Sequence, residues 1–194
     1  MEDSPVIIIG AGPAGLAAAG QLSERDIPFI VLEKGEGVAQ CWRDHYDRLH
    51  LHTVKELSHL PGEEFPEAFD RYVHKNDLVK YYEQYAQKRG IQPLFGKSVN
   101  DIDKVRDKWK VSCDDGSSYE SAQVIICAGM NRIPFRPHFQ NEEDFNGEIL
   151  HSHDYQNPAP FKGKRVLVVG MGNSGAEIAL DLCEQDVETY LSVR

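Results

Sequence analysis

The chain has 194 residues, 41% hydrophobic and 27% charged, with a formal net charge of -10, an ordinary composition for a globular protein able to bury a core. The negative balance argues against nucleic-acid or anionic-membrane partners, which call for a basic face, and no apolar run approaches the roughly 20 residues of a membrane-spanning helix. The opening Met1-Glu2-Asp3-Ser4-Pro5 has neither a basic n-region nor a long apolar stretch, and Cys41, Cys113, Cys127 and Cys183 are widely scattered. Both features predict a cytoplasmic protein with reduced thiols.

Val6-Ile7-Ile8-Ile9 is a continuous β-branched run, as a strand covered on both faces of a parallel sheet should be. It leads into Gly10-Ala11-Gly12-Pro13-Ala14-Gly15. In this fingerprint the first Gly makes the strand-to-helix bend, the second lets the backbone approach a pyrophosphate, and the third lets helix and strand pack closely. The phosphates then meet the free N–H groups and dipole of a helix N-terminus. Leu16 to Leu22 reads as that helix and Phe29 to Leu32 as the next parallel strand, ending in Glu33, placed to accept hydrogen bonds from a ribose.

From Gly37 to Leu60 the chain is rich in His, Asp and Arg without periodic apolar positions, and reads as irregular structure close to a site. Asn76-Asp77 is positioned to cap a helix through Leu78 to Ala86, stopped at Gly90. Short strands follow at Ile91–Phe95, Ser98–Ile102, Lys108–Cys113 and from Tyr119, with Asp114-Asp115-Gly116 as a hairpin turn. This predicts an antiparallel meander inserted in the first nucleotide fold, closed by a buried strand from Gln123 to Gly129.

A second fingerprint, Gly170-Met171-Gly172-Asn173-Ser174-Gly175, follows the run Arg165 to Val169 and precedes a helix at Ala176–Cys183 and a strand at Glu188–Val193. Two such turns imply two dinucleotides. Where the first unit ends in Glu33, the second reaches Ser192 and Arg194. A guanidinium there would hold a 2′-phosphate that an acid would repel, so the second ligand is expected to be NADP(H). The bland alternative is that Arg194 is simply solvated. His50 and His52 would share one face of a strand, and His151-Ser152-His153 repeats that spacing. With no CxxC or HExxH pattern alongside, no metal site is expected.

The combination resembles the flavin-containing monooxygenases, and in particular the plant YUCCA-type indole-3-pyruvate monooxygenase branch. The most specific element is Phe145-x-Gly147-x-x-x-His151-x-x-x-Tyr155, similar to the FxGxxxHxxx(Y/F) signature of that family; Trp42, the stretch Tyr46 to His52, Phe65-Pro66 and the Gly-Asn-Ser-Gly of the second fingerprint are also similar. The resemblance implies an α/β protein: an FAD-binding Rossmann-like, three-layer fold at 1–137 with an inserted meander, a linker at 138–162, and the start of an NADP-binding Rossmann-like fold at 163–194. It further implies that the chain corresponds to the N-terminal portion of such enzymes.

The family reaction uses FAD and NADPH: NADPH reduces the flavin, O₂ gives a C4a-hydroperoxide, and one oxygen atom passes to a soft heteroatom or an α-keto acid. A small-molecule substrate and O₂ are the partners this implies, with a homodimer left open. FAD would contact Gly10, Gly12, Pro13, Ala14, Gly15, Glu33, Lys34, Trp42, Ala128 and Gly129, and NADPH would contact Gly170, Gly172, Asn173, Ser174, Gly175 and Arg194. His52 and His151 are candidates for positioning roles at the reaction centre. His151 and Tyr155 would share a face only if their segment were helical; the plainer reading is that Phe145 and Tyr155 pin the linker to the domain surface. The family's usual Ala-Thr-Gly after the last flavin-fold strand is here Cys127-Ala128-Gly129, which loses a hydroxyl.

Three alternatives share these folds. A disulfide oxidoreductase or flavin reductase is the nearest, but its redox cysteine pair is not matched: Leu150 to Tyr155 contains no cysteine, and the region after the first unit offers only Cys41. A Baeyer–Villiger monooxygenase carries a longer linker signature. A truncated flavin-binding module without turnover is the third, since only two strands of the second sheet are predicted, leaving an open edge and an uncovered apolar face.

Overall fold

A computed structural model describes residues 5–130 and 133–193. The chain divides into two compact units, one of residues 1–44 and 51–132, the other of 45–50 and 133–194. Parallel and antiparallel sheets combine with helices in a mixed α/β, Rossmann-like architecture.

In the first unit β1 (Val6–Ile9) pairs in parallel with β2 (Phe29–Leu32) on one side and β6 (Val124–Ile126) on the other. All four residues of β1 are buried, as its β-branched composition predicts. Alternate side chains enter different cores. Ile8 joins Leu16 and Ala19 of helix α1 (Pro13–Ser23) and Leu78, Tyr81, Tyr82 and Tyr85 of α3 (Lys75–Lys88). Ile7 and Ile9 pack with Val111 and Cys113, both from the antiparallel meander of β3 (Val99–Val105), β4 (Lys108–Cys113) and β5 (Ser118–Ser121). The Asp114–Gly116 hairpin turn is formed, with the Gly116 N–H donating to the Cys113 carbonyl.

The aromatic face of α3 does polar work as well as packing. The Tyr81 hydroxyl accepts from Leu60 N at 2.7 Å and donates to the Glu63 carbonyl, and the Tyr85 hydroxyl donates to the Pro61 carbonyl. Together they clamp the 60–63 turn on the helix. Burial pushes the Tyr81 phenol up to about 12.

Four expectations are corrected in this unit. Ile91–Phe95 is not a strand; only Leu94 bridges, in parallel, to Leu32, because Pro93 has no N–H to donate and Gly96 turns the chain with a φ of +68°. The α3 cap is His74, whose Nδ1 accepts from Asn76 N at 3.2 Å, rather than Asn76 or Asp77. The strand expected from Gln123 to Gly129 is cut to three residues at the edge of its sheet, with Ile126 66% exposed. The 37–60 stretch is not wholly irregular, since it holds the short helix α2 (Gln40–Arg43) and a 3₁₀ turn at Lys55–Leu57.

In the second unit β7 (Arg165–Val169) pairs in parallel with β8 (Glu188–Ser192), and α4 (Asn173–Glu184) packs on both through Ile178, Ala179 and Leu182. Leu167 and Val169 of β7 stand 62% and 58% exposed. No helix among the described residues is long and apolar enough to cross a membrane.

Candidate functional site

The two glycine turns are near copies of one another. Gly10 has a φ of +105° and Gly170 of +100°, conformations costly for any residue with a Cβ. A Cβ on Gly15 would overlap the Gly10 carbonyl oxygen and stand 3.0 Å from its carbon; a Cβ on Gly175 would overlap the Gly170 oxygen and stand 3.0 Å from its carbon. The third glycine of each turn is thus dictated by close packing of helix on strand. The middle glycines differ in kind: at Gly12 and at Gly172 a Cβ would meet nothing within 4 Å. Each is the N-cap of its helix in extended backbone, and neither makes a side-chain cap bond. The first turns of α1 and α4 therefore border open space of the kind a diphosphate fills.

Around the first turn the flanking residues converge. Gly10 N donates to Leu32 O, Cys127 N to Ile9 O, and a Cβ on Gly10 would come within 2.5 Å of the Cys127 carbonyl oxygen. Ala128 and Gly129 consequently leave β6 at the same sheet end as the fingerprint, and burial pushes the Cys127 thiol up. Ala39 N donates to Ala11 O and Trp42 N to Ala39 O, which ties α2 and Trp42 to the turn. Lys34 is exposed.

Glu33 is 7% exposed. Its carboxylate accepts from Ala11 N at 2.7 Å and from Gly35 N at 2.8 Å. The group read as a ribose acceptor is thus also a brace between β2 and the fingerprint. A carboxylate has about four lone-pair sites, so two N–H partners leave capacity for a diol.

Near the second turn, α4 presents Glu177, Asp181 and Glu184 at helical spacing on one face. Each is answered by a residue distant in sequence: the Tyr46 hydroxyl donates to Glu177 at 2.6 Å, the Tyr155 hydroxyl to Asp181 at 2.7 Å, and Arg48 forms a fork with Glu184. Tyr46 is 2% and Tyr155 3% exposed, and their rings meet edge-on at 6.2 Å. Burial and the facing carboxylates push both phenols above their ordinary range. Sequence reasoning gave Tyr46 and Arg48 no role; the helical spacing of the three acids was the available signal.

The signature segment is not helical at His151–Tyr155 but a turn, in which His153 N donates to His151 Nδ1 at 3.0 Å and Asp154 N to the His151 carbonyl. Tyr155 pins the linker to α4, whereas Phe145 is 59% exposed and folds over Gly147. His50 and His52 do not share a strand face, and His52 is exposed. All four cysteines are free thiols. Arg194 lies outside the described residues.

A family model described as pyridine nucleotide-disulphide oxidoreductase matches residues 7–194. The probable indole-3-pyruvate monooxygenase YUCCA1 of Arabidopsis thaliana is 40% identical over 192 residues, 97% of this chain and 46% of that protein. The chain spans about half the length of the curated relatives it matches. Among solved structures, a flavin-containing monooxygenase from Stenotrophomonas maltophilia matches with a TM-score of 0.91 at 29% identity, over 100% of this chain and 58% of that one. The bacillithiol disulfide reductase Bdr (YpdA) of Staphylococcus aureus shares the fold, with a TM-score of 0.83 at 19% identity over 100% of this chain and 57% of its own. The chain belongs to the pyridine nucleotide-disulphide oxidoreductase family, within which it is similar to the flavin monooxygenases.

Proposed function

We propose that this chain provides the FAD-binding unit and the first part of the NADPH-binding unit of a flavin-dependent monooxygenase, residues 1–137 supplying the former, 163–194 beginning the latter and 138–162 linking them. The observation that carries the reading is the matched pair of turns, each with its third glycine sealed by backbone and its middle glycine facing open space at a helix N-terminus. The residues fit the group: a diphosphate needs close backbone approach at a helix N-terminus, and both turns offer it.

When bound, FAD supplies the redox chemistry, taking a hydride from NADPH and activating O₂ for transfer of one oxygen atom. The chain's own residues bind and orient. Gly10, Gly12, Pro13, Ala14 and Gly15 present the start of α1 to the flavin's diphosphate. Glu33, braced by Ala11 and Gly35, receives the ribose, with Lys34, Trp42, Ala128 and Gly129 bordering the site. Gly170, Gly172, Asn173, Ser174 and Gly175 do the same for NADPH, and the 2′-phosphate is assigned to Arg194 on sequence position. His151 acts by holding the linker turn, and His52 is assigned a positioning role of the same kind.

The substrate class favoured is an α-keto acid, since relatives at 40% identity are named indole-3-pyruvate monooxygenases; a soft heteroatom is the second choice. Free cysteines and the absence of a close pair in the sequence weigh against disulfide chemistry. The test is reconstitution with FAD, followed by NADPH, an α-keto acid and isotopically labelled O₂. One labelled oxygen in product per NADPH consumed is expected. Electrons recovered wholly as H₂O₂ with keto-acid, thioether and amine substrates alike, or reduction of a disulfide, would overturn the reading.

A further inference from the structure

The two glycine turns match residue by residue, and the match extends to the strand beside each. Ile9 pairs with Leu32 and Val169 with Ser192, both in parallel register. Gly10 N then donates to the Leu32 carbonyl at 2.7 Å, and Gly170 N to the Ser192 carbonyl at 2.9 Å. Leu32 and Ser192 are therefore equivalent, and the position after each is Glu33 in the first unit and Val193 in the second. The position after that is a cation in both, Lys34 and Arg194. A basic residue is thus common to the two units, and the charge that separates them is the carboxylate of Glu33. Glu33 turns it back on its own fingerprint, accepting from Ala11 N at 2.7 Å. Met171 follows Gly170 as Ala11 follows Gly10, but the side chain of Val193, which is 57% exposed, has no oxygen to offer there.

We propose that Val193 is a specificity-determining residue: by leaving the Glu33 position without a carboxylate, it admits the 2′-phosphate of NADP(H) to the second turn. The inference rests on the reading of Gly170 to Gly175 as a dinucleotide site. An acid at that position accepts hydrogen bonds from a ribose 2′-hydroxyl. Against a 2′-phosphate the same acid would oppose like charges. Valine neither attracts nor repels, so a neighbouring guanidinium acts on the phosphate unopposed. In the first unit the charges of Glu33 and Lys34 cancel, whereas Val193 and Arg194 together are positive. The register thus moves the informative contrast from Glu33 against Ser192 and Arg194 to Glu33 against Val193.

The experiment is calorimetric titration of the FAD-loaded chain with NADP⁺ and, separately, with NAD⁺, neither of which reduces flavin, for the parent, Val193→Glu and Val193→Gln. The parent should prefer NADP⁺. Val193→Glu should lower NADP⁺ affinity at least about tenfold, the effect of one opposed charge, while NAD⁺ affinity holds or rises. Val193→Gln matches glutamate in size without its charge, and should keep the ratio of the two affinities within about twofold of the parent's. Retained NAD⁺ binding in Val193→Glu is the readout that a merely structural effect would not give. Equal loss of both nucleotides or an unchanged ratio in Val193→Glu would overturn the proposal. So would a ratio in Val193→Gln shifted as far as in Val193→Glu, or a parent that prefers NAD⁺. A parent that takes up FAD but binds neither nucleotide would instead overturn the reading of the second turn, and the proposal with it.

Discussion

Replacing Gly12 and Gly15 by alanine, one at a time, should separate ligand binding from folding within a single turn. At Gly15 a Cβ would overlap the Gly10 oxygen and lie 3.0 Å from its carbon, where carbon atoms prefer about 3.5–4.0 Å. The obstacle is backbone, held by the bond from Gly10 N to Leu32 O and by the Cys127 carbonyl on its other side. An interior helical Gly→Ala exchange ordinarily gains about 1 kcal/mol; overpacking against rigid surroundings costs about 3 kcal/mol. The net loss of about 2 kcal/mol corresponds to a fall of roughly 4–8 °C in Tm for a chain of this size. At Gly12 the new methyl meets nothing, and the backbone is already one alanine adopts, so the cost is that of a poorer N-cap, about 0.5–1 kcal/mol or roughly 1–4 °C. Yet that methyl occupies the path of the diphosphate, and FAD affinity should fall at least about tenfold through loss of charge-assisted N–H bonds. Thermal unfolding of the apo chain and flavin-fluorescence titration read the two quantities. Gly12→Ala binding FAD within twofold of the parent, or Gly15→Ala melting at or above it, would refute the reasoning.

Glu33→Gln keeps the shape but offers one oxygen to two N–H donors, Ala11 and Gly35; leaving one buried donor unmet should cost about 1–3 kcal/mol, and an unchanged melting curve for the apo chain would contradict the bracing role. The raised Tyr81 phenol gives a pH prediction: between its unfolded value near 10 and about 12 in the fold, the unfolded chain loses a proton that the folded chain keeps. Stability should therefore fall as pH rises through that window, and Tyr81→Phe should flatten the slope in urea titrations at pH 9 to 12. Arg194→Ala should weaken NADPH far more than NADH in parallel titrations; equal loss for both would remove Arg194 from the 2′-phosphate.

What the sequence made legible follows from where the physics is local. Both fingerprints, their flanking strands and the Asp114–Gly116 hairpin are specified by glycine geometry and β-branched runs a few residues long, and the structure has them in the expected places. Ile91–Phe95 misled because apolar content outweighed one proline that denies a ladder bond. The His74 cap was hidden by Asn76 and Asp77, better cap formers by type but already inside the helix. The double duty of Glu33 and the clasp of Tyr46, Arg48 and Tyr155 on α4 depend on which backbone or carboxylate lies opposite in the folded chain. No local pattern encodes that.

β1 is a wall shared by two cores, with Ile8 facing α1 and α3 and with Ile7 and Ile9 facing the meander. Local opening of the α3 layer would still leave the strand covered by Val111 and Cys113, and detachment of the meander would leave it covered by Leu16 and Tyr85. Its amides should then exchange with solvent only when the first unit unfolds as a whole. The strand that carries the glycine turn is by that reasoning the slowest clock in the unit, so local breathing elsewhere would pass without disturbing the geometry of Gly10.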